Sequence, residues 1–208
     1  MMLSPNETEL NLKTVLEPDT IEIPGFTYIE DYIDVDDQNQ LLTAIDQQEW
    51  SIKLGRRIQH YGYRYDYQNG SLASTKDLGP LPDWAASLAN RLVADNRLTT
   101  KIPDQVIVNE YEPGQGIASH IDCIPCFGKT IMTLSLASCC VMDFTHSQTN
   151  QKASVLLLPG SLTVMQGDAR YNWEHGIAAR KTDQYKGREF VRTRRVSVTF
   201  REVLFPYK

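Results

Sequence analysis

The chain has 208 residues, 41% hydrophobic and 23% charged, which suits one sizeable core and argues against a disordered, collagenous or fibrous protein. No apolar run approaches the roughly 18 residues a membrane span needs, and M-M-L-S-P-N-E-T-E-L lacks the basic start and apolar stretch of a signal peptide. The net charge of −5 is uneven: residues 1–50 carry a net −11 and residues 51–208 a net +6, a mildly basic body that permits a polyanionic partner without demanding one.

Residues 1–20 lack periodicity and predict a flexible leader. Ile21–Ile33, β-branched and broken by Pro24-Gly25, reads as a strand and turn. Asp34 is placed to cap a helix with Leu41, Leu42 and Ile45 on one face. A second helix is predicted from Pro82, with Trp84, Leu88 and Leu92 on its buried stripe. Beyond residue 103 the pattern turns to short strands: Gln105–Tyr111, Thr130–Ser138, Val141–Thr145, Ala153–Leu158, Ser161–Gln166 and Arg195–Glu202. Two helices followed by many short strands predict a mainly β fold, a sandwich or jelly roll braced by N-terminal helices. Four cysteines, two of them adjacent, make a poor disulfide framework and predict reduced thiols in a soluble, cytoplasmic, monomeric protein without a membrane partner.

The strongest chemical signal is H-I-D at 120–122. In extended backbone, residues i and i+2 project from one face, so His120 and Asp122 can converge on one metal ion. His175, in W-E-H-G, is the best candidate for a third ligand. Two histidines and a carboxylate are the facial triad of non-haem iron(II) oxygenases. By itself H-x-D is weak, and a solvated surface pair competes with it. The last strand, R-R-V-S-V-T-F-R at 194–201, puts Arg195, Ser197, Thr199 and Arg201 on one face. That face could meet solvent. Beside a metal, however, an arginine fork is suited to a dicarboxylate, and Asn109 and Tyr111 share a face just upstream.

N-E-Y-E-P-G-Q-G-I-A-S-H-I-D, then M-D-F, A-R-Y-N-W-E-H-G-I and R-x-S-x-x-x-R, taken in this order, resemble the AlkB family of iron(II)- and 2-oxoglutarate-dependent dioxygenases. The resemblance implies a double-stranded β-helix, or jelly roll, within one domain over 21–208, with its catalytic core at about 103–205. It implies His120, Asp122 and His175 as iron ligands. It also implies Asn109, Tyr111, Arg195, Ser197 and Arg201 as 2-oxoglutarate contacts, with Arg195 at the distal carboxylate and Arg201 near the C1 end. Dioxygen would be the other co-substrate. Ser197 stands where many members have Asn. The implied reaction is hydroxylation of a substrate C–H bond as 2-oxoglutarate is converted to succinate and carbon dioxide. On an N-alkylated base in DNA or RNA it is a demethylation that releases formaldehyde, as in DNA repair. The phrases Y-E-P-G-Q-G-I and V-M-D-F are similar to AlkB-like domains that hydroxylate a modified tRNA wobble uridine, which is the alternative. A nucleic-acid-binding module without turnover is the reading of another class, and the full ligand set opposes it.

The stretch R-R-I-Q-H-Y-G-Y-R-Y-D-Y at 56–67 interleaves bases with aromatics. As a nucleotide-recognition lid it would place Tyr61 and Tyr63 against a base and Arg57 and Arg64 on phosphates. As a β-hairpin it would pack on the core instead. C-I-P-C at 123–126 has no second C-x-x-C and reads as two loop thiols beside iron, open to oxidation. Arg188, Arg192 and Arg194 fit either a solvated loop or a phosphate rail.

Overall fold

A computed structural model describes residues 22–52, 55–66, 71–95 and 98–204. The expected leader, Ile21 and Tyr67 fall outside these residues. In chain order the elements are β1 (Phe26–Ile29), α1 (Val35–Asp46), β2 (Ile58–Tyr61), β3 (Tyr63–Asp66), β4 (Ser71–Asp77), α2 (Asp83–Ala94), β5 (Gln105–Tyr111), β6 (Ile117–His120), β7 (Phe127–Leu136) and β8 (Cys140–His146). There follow β9 (Lys152–Leu157), β10 (Leu162–Met165), α3 (Gly167–Tyr171), β11 (Trp173–Ile177), β12 (Thr182–Tyr185), β13 (Arg188–Val191) and β14 (Arg195–Val203).

All strand pairings are antiparallel. A six-stranded sheet runs β1-β10-β7-β14-β5-β2 and a four-stranded sheet β6-β11-β8-β9; β3-β4 and β12-β13 are separate hairpins. The result is the expected mainly β jelly roll with N-terminal helices.

Two apolar layers hold it together. Leu41 and Ile45 of α1 and Ala85, Leu88, Ala89 and Leu92 of α2 cover one face of the large sheet, meeting Val106, Val108, Leu134, Val196, Val198 and Phe200. On the other side Tyr111, Phe127, Ile131, Met142, Phe144, Met165, Trp173 and Ile177 form a second cluster with the small sheet. Because the large sheet is covered on both faces, the alternation along β14 separates two interiors rather than core from water. Val196, Val198 and Phe200 join the helix-side cluster, while Arg195, Ser197 and Thr199, all nearly fully buried, line a pocket on the opposite face. The solvent-face reading of this strand is excluded.

The helix starts follow local chemistry. Asp34 caps α1 by accepting the Asp37 N–H at 2.8 Å, with Asp36 and Asp37 in the first turn. Pro82 sits at the N-cap of α2, one position before the first helical residue, and its carbonyl accepts from Ala85 and Ala86.

Residues 56–66 are not one extended segment. Gly62 adopts φ +74°, and a Cβ there would lie 1.9 Å from the Asp104 carbonyl oxygen. The chain therefore breaks at Gly62, leaving β2 on the edge of the large sheet and β3 in its own hairpin. The glycine serves a close approach to Asp104.

Candidate active site

The pocket lies between the sheets and is built from cross-strand pairs. On the small sheet His175 of β11 is directly opposite His120 of β6, with ring centroids 4.5 Å apart. At the other end of this pairing Gly116 lets the chains approach, since a Cβ there would lie 2.2 Å from the Ile177 carbonyl oxygen. The start of β11 is fixed by Asp168, which accepts the Trp173 indole N–H at 2.8 Å. His120 directs Nδ1 at the Ala118 carbonyl, 2.8 Å away, which leaves Nε2 available. Asp122 lies two residues past His120, buried, with Oδ2 3.6 Å from His175 Nε2. Ligand atoms of His120, Asp122 and His175 all lie within 4.8 Å of one another, so the three could hold one metal ion.

The large sheet supplies the rest of the lining. Across its rows Asn109 pairs with Ser197, and Ser197 with Ser135; Thr199 pairs with Thr133, and Thr133 with Thr163. The Thr133 and Thr199 hydroxyls are 3.1 Å apart. Tyr111, Arg195 and Arg201 complete this polar wall, so all eight residues expected at the metal and co-substrate line one pocket.

Charge defines the ends of the pocket. Arg201 Nη2 lies 2.5 Å from Asp122 Oδ1. Burial alone would raise the Asp122 carboxyl, but Arg201, His175, His120 and Arg170 outweigh it and hold the group ionised below its ordinary range. His175 is pushed down to about 4 by burial, which together with the charges of His120, Arg201 and Arg170 outweighs the upward pull of Asp122, so its imidazole is neutral and able to ligate. Arg195 is 3% exposed; it donates from Nη2 to the Ser135 hydroxyl at 2.8 Å, while its Nε has no hydrogen-bond partner among the described residues. Its guanidinium lies 5.5 Å from the Tyr111 ring centroid, as does that of Arg56. A buried cation partnered by hydroxyl and aromatic ring, with an unsatisfied N–H, suits an incoming carboxylate. The donor set thus fits both a divalent metal and a dicarboxylate.

Several contributors had weak sequence signals. Thr133, Ser135 and Thr163 are polar residues at period 2 inside apolar strands, a legible pattern once the inner face is known. Arg56 donates from Nε to Asn109 Oδ1 at 3.1 Å and fixes that amide. Arg170 is 2% exposed; it reaches the Asp122 carbonyl from Nη1 at 2.8 Å and the Cys123 carbonyl from Nη2 at 3.2 Å. Nothing in A-R-Y announces that role.

Some expectations require correction. Arg57 forms a two-pronged ion pair with buried Glu110 and lies over the Trp50 ring. The Tyr61 ring packs edge-on against Trp84 at 5.4 Å, and its hydroxyl, pushed up to about 12 by burial, donates to Gln59. These two side chains are occupied by the fold rather than presented to a polymer. Tyr63 and Arg64 are half-buried on β3, beyond the break at Gly62. Arg192 and Arg194 are neither a solvated loop nor a phosphate rail. Arg192 grips the fully buried Asp183 through two hydrogen bonds of 2.5 and 2.7 Å, and Arg194 joins Glu110 to Asp46. Cys123 and Cys126 are joined as a disulfide, contrary to the expected reduced pair; Cys139 and Cys140 are free.

A two-sheet jelly roll with a His-Asp-His cluster and a buried arginine in one pocket defines a metal-dependent oxygenase of the kind that takes a carboxylate co-substrate. The chain belongs to the 2OG-Fe(II) oxygenase superfamily, whose profile matches residues 3–201, and is a dioxygenase of its AlkB branch. An uncharacterised protein of Acanthamoeba polyphaga mimivirus is 37% identical, over 86% of this chain and 85% of its own length. An Arabidopsis thaliana protein named alkylated DNA repair protein ALKBH8 homolog is 34% identical, over 96% of this chain and 64% of its own. The Mus musculus tRNA (carboxymethyluridine(34)-5-O)-methyltransferase ALKBH8 is 36% identical over 80% of this chain, which spans only 26% of that protein. Among solved structures, OsALKBH1 superposes with a TM-score of 0.64 at 18% identity, covering 88% of this chain and all of that one, and supports the fold. The family uses iron(II) and 2-oxoglutarate. No helix among the described residues is long and apolar enough to cross a membrane.

Proposed function

We propose that His120, Asp122 and His175 bind iron(II), and that Asn109, Tyr111, Arg195, Ser197 and Arg201 bind 2-oxoglutarate for the oxidation of a modified base in nucleic acid. The carrying observation is Arg195: a buried guanidinium with a free Nε, in the same pocket as the three metal-type ligands. When bound, the iron and its co-substrate supply the oxidation of a C–H bond by dioxygen. The chain's own residues do the positioning. Arg195 and the Ser135 hydroxyl orient a distal carboxylate, Arg201 keeps Asp122 ionised, and the apolar contacts of Met142, Met165 and Ile177 limit water.

The substrate is an N-alkylated base in DNA or RNA, as the names of the DNA-repair and demethylase relatives suggest. Hydroxylation of a modified tRNA wobble uridine is the second reading. It is favoured because the relatives named ALKBH8 are 34–38% identical, against 27% for the DNA N6-methyl adenine demethylase of Caenorhabditis elegans. Of the lid residues, Tyr63 and Arg64, half-buried on β3, would meet the nucleotide, while Arg57 and Tyr61 hold the β2 segment within the fold.

The test is incubation with iron(II), ascorbate and 2-oxoglutarate, followed by mass spectrometry of methylated oligonucleotides and of nucleosides from bulk tRNA. Formaldehyde release with a demethylated base supports the first reading, and a tRNA nucleoside heavier by one oxygen supports the second. His120→Ala, Asp122→Ala and His175→Ala should each abolish 2-oxoglutarate decarboxylation while the melting transition persists. Decarboxylation retained in any of them would overturn the ligand assignment. Oligonucleotide binding without turnover in the wild type would leave a binding module.

A further inference from the structure

The loop that brings Asp122 into the pocket continues as C-I-P-C, and Cys123 and Cys126 are crosslinked with Cα atoms 5.2 Å apart. The two cysteines differ in exposure. Cys126 is 0% exposed, Cys123 is partly exposed, and Ile124 and Pro125 between them face solvent. The turn is tied to the metal-type ligand by one side chain. Arg170 donates to the carbonyl of Asp122 and to that of Cys123, so it holds two successive peptide groups, the first of which joins Asp122 to the crosslinked cysteine. The Cys123 carbonyl also accepts the N–H groups of Cys126 and Phe127, which closes the turn on itself. The crosslink thus removes freedom from the peptide unit adjoining Asp122, on a rigid support that also holds the Asp122 carbonyl. Neither cysteine has a part in the oxidation proposed above.

We propose that Cys123 and Cys126 form a thiol–disulfide exchange site, whose closed form fixes Asp122 for metal binding and whose opening by a low-molecular-weight thiol weakens that binding. This rests on the reading of His120, Asp122 and His175 as the iron ligands. Opening begins when an external thiolate attacks Sγ of Cys123, the more exposed of the two residues. A mixed disulfide forms, and Cys126 leaves as a thiolate that takes up a proton. A second external thiol then attacks the mixed disulfide, which frees Cys123 as a thiol and releases the external disulfide. Two external thiols lose two electrons, and the protein pair gains two electrons and two protons. In closing by hydrogen peroxide, the protein thiols lose two electrons and two protons, and the peroxide becomes two waters.

The test uses the full chain in two forms: oxidised with hydrogen peroxide, or reduced with dithiothreitol and desalted under argon. Alkylation and mass spectrometry should find two more thiols in the reduced form. Manganese(II) titrated by calorimetry should bind the reduced form roughly 10- to 100-fold more weakly, the usual loss when support around a ligand is removed. The Cys123→Ser/Cys126→Ser variant should bind at the weaker level and ignore both treatments. Circular dichroism on the same samples separates a folding defect from a local one, and loss of β signal on reduction would overturn the proposal in favour of a plain structural staple. Equal manganese affinity in the two forms, with the thiol count changed, would overturn the exchange site and leave the iron reading standing. Unchanged manganese binding in His175→Ala would overturn both.

Discussion

Arg195 lies under a hydroxyl and against a phenol ring, with no carboxylate among the described residues as its hydrogen-bond partner, so most of its charge is left for the ligand. Arg195→Ala should therefore raise the 2-oxoglutarate dissociation constant steeply. A charge-assisted pair contributes about 1.5–3 kcal/mol, which is roughly ten- to a hundredfold in affinity. Arg195→Lys should recover only part of this, because an ammonium cannot present two parallel N–H groups. An unchanged constant in Arg195→Ala, measured by calorimetry with manganese(II) present, would move the role to another cation. Arg56 acts at one remove. Its Nε donates to the Asn109 carbonyl oxygen, which fixes that amide in the pocket wall. Arg56→Ala should free that amide to flip and weaken 2-oxoglutarate by roughly two- to tenfold, the worth of one hydrogen bond of about 0.5–1.5 kcal/mol. The same titration reads the loss, with the metal affinity expected to stay constant.

Gly62 sets where β2 ends and β3 begins, because only a residue without Cβ fits beside Asp104 at φ +74°. Gly62→Ala should cost about 1–3 kcal/mol in urea unfolding through strain and displacement of the Asp104 segment, and a stability equal to wild type would contradict the geometry. The strands with strong alternation were legible from sequence: Gln105–Tyr111 matches β5 residue for residue, and the polar face of β14 becomes the pocket wall. Asp34 announced the cap of α1 by its chemistry alone. Strands β6 and β11 were less visible, although they carry His120 and His175, since four or five residues with few apolar positions give little periodicity. The lid stretch misled for a related reason. Bases interleaved with aromatics describe a nucleic-acid surface and a packed hairpin equally well, and Glu110 and Trp84, the partners that claim Arg57 and Tyr61, lie 53 and 23 positions further along the chain. Arg192 and Arg194 were ambiguous on the same ground, because Asp183 and Asp46 become their partners only when the hairpin β12-β13 and helix α1 are in place.

Outside the pocket the fold carries buried titratable groups either neutral or paired, as His60 and Asp183 show, and that dictates how it responds to acid. His60 on β2 has its pKa pushed down to about 4, chiefly by burial, with the charges of Arg64 and Arg201 adding to the effect. It is neutral in the folded chain, whereas in the unfolded chain it takes up a proton near pH 6.5. Between these values the unfolded state binds more protons, so stability is full above about pH 6.5 and falls as pH drops toward 4. The ceiling for one such histidine is about 3 kcal/mol, and partial solvent access lowers the expected loss to about 1–2 kcal/mol. Asp183 acts in a lower range. Burial alone would raise its carboxyl, but Arg192, the Val141 N–H and Arg180 hold it below its ordinary value. Its contribution is therefore complete above that ordinary value and vanishes only in stronger acid. Urea unfolding of the metal-free chain at pH 7.5, 6, 5 and 4.5 separates the two groups, because Asp183 stays ionised throughout that series. His60→Gln should make the decline shallower without abolishing it, because His175 is depressed to the same value and keeps its own share, whereas Asp183→Asn should lower stability at every pH and leave the slope unchanged. A slope equally steep in His60→Gln would assign the acid sensitivity to other histidines.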